Sequence, residues 1–231
     1  AAADRQQTLA DGEAKAMVVT RSRLHAVRYK QAIENYIAEK RYTDMHALVA
    51  FSGKVVDPDG SGVEDTESNM NTTPGGKTIP ETETAKRFQG DPDNGFPVGD
   101  YQVLIVAEKY QTGFDEPRLH TMYVDKKLDG VKAVQTLSRL NRIMPGKTDT
   151  FVLDFANEAD DIAAAFLAGC RDSVSLPGDL KRHQAKFFCI TRCVALKRTR
   201  ATSPCAARVV IHHLALARRA PTRPRSRGAF A

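Results

Sequence analysis

Short apolar runs recur along the first two thirds of the chain, and the stretches between them carry either helical spacing or turn residues. Residues 15–20 (Lys-Ala-Met-Val-Val-Thr) form a run suited to a buried strand. Ser22, just beyond it, is placed to cap a helix in which Leu24, Val27, Ile33, Tyr36 and Ile37 recur at roughly helical intervals to about Lys40. His46 to Phe51 predicts a second strand, ended by Ser52-Gly53. From Asp57 to Asp100 the chain is rich in Gly, Pro, Asp and Thr, which predicts a long, partly mobile surface excursion with one short helix around Thr82–Phe88. Tyr101–Ala107, Thr121–Val124 and Thr150–Asp154 complete the strands. A helix from Gly130 to Ile143 precedes the last of them, with Asp129 at its N-cap and Pro145-Gly146 beyond its end.

This order predicts an α/β fold, an open and mostly parallel sheet with helices on both faces. Ligands of such sheets gather at the carboxyl ends of the strands. The residues there are Thr20, Arg21, Ser52, Glu108, Asp125, Lys126 and Asp154. No internal repeat is visible.

Two clusters carry candidate chemistry. On the predicted helix, Gln135, Arg139 and Arg142 stand at i, i+4 and i+7, within an arc of about 60° at ~100° per residue. Ala133, Val134, Leu137 and Leu140 lie on another side, free to anchor the helix on the sheet. Two guanidinium forks on an anchored helix suit a polyphosphate, because they pair bidentately with phosphate oxygens. On spacing alone, a solvated helix face reads equally well. The second cluster is Glu108 to Pro117, after the third strand. Gly113 there permits positive φ or close approach, and Asp115 can accept from a ribose hydroxyl or orient an arginine. Taken by itself, it is also an ordinary loop.

Charge and cysteine change the picture at the far end. The 231 residues carry a net +6, yet residues 181–231 hold 13 Lys and Arg and no acid, so the other 180 carry 21 basic against 28 acidic side chains. The mildly acidic majority removes the inference of a generally basic nucleic-acid binder that a pI of 9.2 would invite. Cys170, Cys189, Cys193 and Cys205 all lie late, and the cysteine-free remainder suits a reducing, cytoplasmic setting. No apolar run reaches the ~20 residues of a membrane span, and the first residues lack the pattern of a secretory signal. In the tail, His183, Cys189, Cys193, Cys205, His212 and His213 fit no paired-cysteine zinc template, so no metal site is expected. The abrupt shift near residue 168 reads as a separate basic tail, disordered or translated out of frame from a GC-rich gene.

Gln-Thr-Leu-Ser-Arg-Leu-Asn-Arg at 135–142 is similar to the sixth helicase motif of superfamily 2, Gln-x-x-Gly-Arg-x-x-Arg, with Ser138 in place of Gly. Thr-Gly-Phe-Asp-Glu-Pro at 112–117 resembles the fifth motif, and residues 15–23 resemble the fourth. The wording of 101–117, 119–128 and 150–157 narrows the likeness, which runs from about Ala14 to Leu167. The chain resembles the motor (R) subunit of type I restriction enzymes, in its C-terminal, RecA-like helicase lobe. That resemblance implies a two-lobed ATP motor that pumps double-stranded DNA, with ATP and Mg2+ between the lobes. Arg139 and Arg142 would reach the γ-phosphate, Arg142 as the arginine finger, and Gln135 would align the row. Gly113 and Asp115 would line the nucleotide side of the cleft, and Thr112 and Lys126 would touch the DNA backbone.

A phosphate-binding loop should come from a first lobe. Pro74-Gly75-Gly76-Lys77-Thr78 does not supply it, since Asn71 stands where Gly-x-x-x-x-Gly-Lys-[Ser/Thr] needs glycine, and no strand precedes. An acidic metal box and nuclease residues are also missing. The expectation is therefore a fragment, inactive alone, whose partners are DNA, a first motor lobe and the modification and specificity subunits, with no membrane. The alternatives are a DNA- or partner-binding module without ATPase activity, and a lobe of another superfamily 2 helicase.

Overall fold

A computed structural model describes residues 13–59, 62–110, 113–142, 144–145, 147, 150–158, 160–162 and 164. The elements, in chain order, are β1 (Lys15–Thr20), α1 (Arg23–Lys40), β2 (Ala47–Ala50), β3 (Lys54–Val56), β4 (Glu64–Thr66), α2 (Glu67–Met70), α3 (Thr84–Gln89), β5 (Val103–Val106), β6 (Leu119–Asp125), α4 (Gly130–Leu137) and β7 (Phe151–Asp154). The tail from residue 168, with its cysteines and histidines, lies outside the described residues.

Five strands form one sheet in the order β2-β5-β1-β6-β7, and every neighbouring pair is parallel. A strand covered on both faces must be apolar on both, which is why β1, β2 and β5 read as unbroken apolar runs rather than alternations. Along β1, Ala16 and Val18 face α1, where they meet Val27, Tyr29 and Ile33. Met17 and Val19 point the other way, into a core with Phe88, Phe114, Leu137 and Leu140. The RecA-like α/β arrangement is the one expected. Ser22 caps α1 as predicted, its hydroxyl accepting from the His25 amide at 3.3 Å.

The excursion is more deeply committed to the fold than its composition suggests. Ile79 and Phe88 are fully buried, and so are Asn71, Thr84 and Glu67. Its role is legible at β2, the edge strand, whose outer polar groups would otherwise invite pairing by another chain. The Asn71 carboxamide accepts from the Val49 amide at 2.9 Å and donates to the Val49 carbonyl at 2.7 Å, imitating a neighbouring strand. Glu67 accepts from the Phe51 amide at 2.9 Å, and the Lys30 ammonium donates to the Ala47 carbonyl at 2.6 Å. Gly90, at φ 80°, lies so close to Val98 that an added Cβ would meet its Cα at 2.7 Å, so the end of α3 requires glycine. Residues 73–78 form a tight turn closed by Gly76 N donating to Thr73 O at 2.8 Å. No helix starts at it, since α3 begins only at Thr84, and the turn is no phosphate cradle.

The helix predicted over 130–143 needs correction. α4 ends at Leu137, and a 3-10 turn covers Ser138–Asn141. Pro145 has no amide to give the Asn141 carbonyl and disfavours helical backbone at residue 144. Asp129 occupies the cap position without a side-chain capping bond.

Candidate functional site

The segment between β5 and β6 leaves the sheet at its carboxyl edge and re-enters at Leu119, on the amino edge. Its second half, Phe114–Arg118, therefore lies beside the first residues of β1 and β6. α4 and the 3-10 turn make the same return journey, from the end of β6 to the start of β7. The two sequence clusters meet there. Arg139 Nη1 donates to the Phe114 carbonyl at 2.9 Å, and Arg142 Nε pairs with Asp115 Oδ1 at 2.9 Å.

The loop is held with unusual completeness. Each carbonyl from Phe114 to Arg118 accepts a hydrogen bond, from Arg139, Gln89, the Leu119 amide, Lys147 and the Lys15 amide in turn. Gly113 opens the loop at φ 72°, the left-handed backbone expected of it. Between α3 and this loop is a cleft of about 290 Å³, lined by Lys86, Gln89, Asp115 and Arg118 among others.

The two arginines differ in freedom. Arg142 has extended backbone at ψ 130°, and its side chain is 48% exposed. Arg139 is half-buried, and its Nε is buried with no hydrogen-bond partner among the described residues. Burial lowers the Arg139 pKa, and the Arg142 charge lowers it further, while Asp115 opposes both.

Behind them is a buried titratable layer that the sequence did not reveal. Glu116 is 2% exposed, its Oε2 without a partner among the described residues, and burial raises its pKa. Burial depresses Lys15 to about 8 and Lys147 likewise to about 8, with Glu116 opposing the shift in each. Lys15 nonetheless donates to the Phe88 and Tyr101 carbonyls and stacks on the Phe88 ring. None of these residues follows a spacing rule. The sequence signal is that Lys15 and Glu116 stand inside two of the quoted motifs, at 15–23 and 112–117, and Lys147 follows the third.

The expected Gln135–Arg139–Arg142 row is not realised as one helix stripe. The 3-10 turn between Leu137 and Arg142 breaks the 100° repeat on which it depended, and Gln135 is left exposed on α4. Lys126 is at the other edge of the sheet, beyond the end of β6, where its ammonium pairs with Glu108 and holds that carboxyl below its usual range. β6 is 7 residues long, so roughly 20 Å of strand separates the two edges. Thr112 lies outside the described residues. The carboxyl edge has its own polar cluster. Thr20 donates to Val106 O at 3.0 Å, Tyr29 donates to Asp125 at 3.2 Å, Arg21 reaches Asp125 at 3.7 Å and Arg23 donates to Ser52 O at 3.1 Å.

Among the described residues no group of three or more His, Cys, Asp or Glu is placed to hold a metal ion, and no helix is long and apolar enough to cross a membrane. The family model of type I restriction enzyme subunit R domain 3 matches residues 12–157. A Methanocaldococcus jannaschii protein named for the MjaIXP type I restriction enzyme endonuclease subunit is 32% identical over 155 residues, covering 67% of this chain and 13% of that protein. A second from that organism, named for the MjaVIIP endonuclease subunit, is 31% identical over 142 residues, 61% of this chain and 13% of its own length. The HindI endonuclease subunit of Haemophilus influenzae is 32% identical over 88 residues, 37% of this chain and 8% of that subunit. The chain thus spans about an eighth of the length of the first two relatives.

Proposed function

We propose that this chain, which belongs to the type I restriction enzyme subunit R domain 3 family, is the second motor lobe of a DNA-translocating restriction subunit and supplies trans-acting arginines to ATP hydrolysis. The observation that carries this reading is the Arg139–Arg142 pair. Both guanidiniums are fixed to the Phe114–Arg118 loop, yet among the described residues Arg139 keeps a buried donor unpaired and the Arg142 side chain is held only by an exposed carboxylate.

Two adjacent guanidiniums fit the terminal phosphate of ATP, whose oxygens would compete with Asp115 for the half-exposed Arg142. ATP with Mg2+ would supply the phosphoryl group and its leaving diphosphate. The loop of this chain supplies rigidity. Arg139 is anchored through Nη1, so its remaining donors keep one direction, and Arg142 adds positive charge from a half-exposed position. Charge of that kind is worth about 10³–10⁵ in turnover where phosphate and metal are already held. The metal would need ligands from outside this chain, because the acids near the arginines are single carboxylates already engaged or buried. Lys126, at the carboxyl edge, and Thr112 would contact the DNA backbone. The modification and specificity subunits complete the complex.

The test is Arg142→Ala in a complete R subunit that contains this lobe. Loss of DNA-stimulated ATP turnover with subunit assembly intact supports the reading. Unchanged turnover would mean that the lobe only binds DNA or a partner.

A further inference from the structure

We infer that Lys147 is a positioning residue for Arg142: its ammonium clasps the end of the 3-10 turn to the Phe114–Arg118 loop and so sets where the Arg142 guanidinium stands. The inference rests on the proposed role of Arg142 for its functional consequence, but its structural core is independent of that role.

Lys147 Nζ donates to three carbonyls, Leu140 O at 2.8 Å, Arg142 O at 3.1 Å and Pro117 O at 3.0 Å. An ammonium has three N–H groups, so all its donors are used. The carbonyls belong to two separate segments. Leu140 and Arg142 are at the end of a helical run, where no later amide of a described residue takes their oxygens. Pro117 belongs to the loop that also carries Asp115. One cation therefore fixes the backbone of the finger relative to the carboxylate that holds the finger's side chain. A second hydrogen bond, from the Lys147 amide to Met144 O at 3.1 Å, closes the intervening turn and directs the lysine back.

Arg142 has little else to orient it. Its backbone has left the helix, its side chain is half exposed, and among the described residues its fixed contacts are the Lys147 bond to its carbonyl and the Asp115 pair. Leu140, buried in the core two residues earlier, pins the turn but not the rotation beyond it. Remove the clasp, and among the described contacts only the exposed Arg142–Asp115 pair ties the chain beyond Asn141 to the loop.

The environment makes the clasp sensitive to pH. Burial brings Lys147 down to about 8 against the pull of Glu116, so near that pH the ammonium becomes an amine with one donor fewer. The charged groups facing this region are Glu116, Asp115 and Arg118 from the loop, Arg139 and Arg142 from the turn, and Lys15 from β1; Lys15 and Arg118 both oppose the rise of Glu116. Lys15 titrates in the same range. A pH profile alone would not separate the two lysines. Lys147→Arg does, because a guanidinium keeps its charge and donors well beyond pH 8.

The experiment uses the chain labelled uniformly with 15N and follows solvent exchange of the Arg142 Nε proton, with Asp115→Asn as the control that frees the side chain. Lys147→Met should speed that exchange about tenfold or more, the cost of losing roughly one charge-assisted bond, while backbone signals of β1 and β6 stay in place. Lys147→Arg should restore slow exchange and remove the acceleration expected of the parent chain above pH 8, beyond the ordinary base-catalysed rise. Unchanged Arg142 exchange in Lys147→Met overturns the inference. If Lys147→Met does not fold, persistence of the alkaline step in Lys147→Arg overturns it. Turnover of the chain mixed with a first motor lobe then separates the two claims. Loss of kcat without a change in KM for ATP, in Lys147→Met as in Arg142→Ala, supports both. Loss in Arg142→Ala alone refutes the positioning role and leaves the finger. No loss in Arg142→Ala refutes the finger and leaves the clasp to be judged by the exchange data.

Discussion

Asn71→Ala should unfold the chain far more readily than an ordinary substitution in a turn-rich segment. The side chain is fully buried and serves two backbone groups of β2, the Val49 amide at 2.9 Å and the Val49 carbonyl at 2.7 Å. Truncation leaves both without partners, in a strand that is itself fully buried. Each orphaned buried group costs about 1–3 kcal/mol, and partial relaxation or an entering water reduces the sum to about 2–4 kcal/mol. For a domain of this size that corresponds to a fall in Tm of about 4–16 °C. Urea titration at neutral pH measures it directly, and the Val49 amide should lose its exchange protection first. Asn71→Asp keeps the acceptor but turns a carboxylate oxygen toward the Val49 carbonyl, and should cost at least as much. A shift in stability below about 0.5 kcal/mol for Asn71→Ala would refute the edge-capping argument, because it would mean that water serves the strand equally well.

Asp115→Asn removes the carboxylate beside Arg142, but that pair is 48% and 61% exposed, so stability should change by less than about 1 kcal/mol, with any loss fading at high salt. A larger loss in thermal unfolding would mean the pair is structural. Lys15→Met tests the buried layer through pH. Lys15 falls from 10.5 to about 8 on folding, so between those values the unfolded chain binds more protons, and stability should rise with pH across that window. The difference between parent and variant unfolding free energies should climb from pH 8 to 10.5 in favour of the parent. A flat difference contradicts the burial argument.

How much of this was legible in the residues follows physical lines. Runs such as Val103–Val106 announced buried strands, and Ser22 announced a cap, because both depend on neighbours a few positions away. The motif wording at 112–117 and 135–142 foretold two clusters that the fold does bring together. In the sequence Asn71 stands out only as the residue that spoils a phosphate-loop pattern, and its actual work, 22 positions back along the chain, leaves no local trace. The sequence predicts too long a helix because the 3.6-residue repeat continues through Arg142, whereas the α-helix gives way to a 3-10 turn after Leu137. The separation of Lys126 from the arginines, on opposite edges of the sheet, is a consequence of topology and not of spacing.

The central claim is that this lobe supplies Arg142 to a phosphate site completed by another lobe. Duplex-DNA-stimulated ATPase activity of the chain, alone and then mixed with a separately made first motor lobe, tests it most directly. The account predicts silence alone, turnover on mixing, and a fall of about 10³-fold or more in Arg142→Ala. Robust turnover by the chain alone, or turnover on mixing that survives Arg142→Ala, would contradict it.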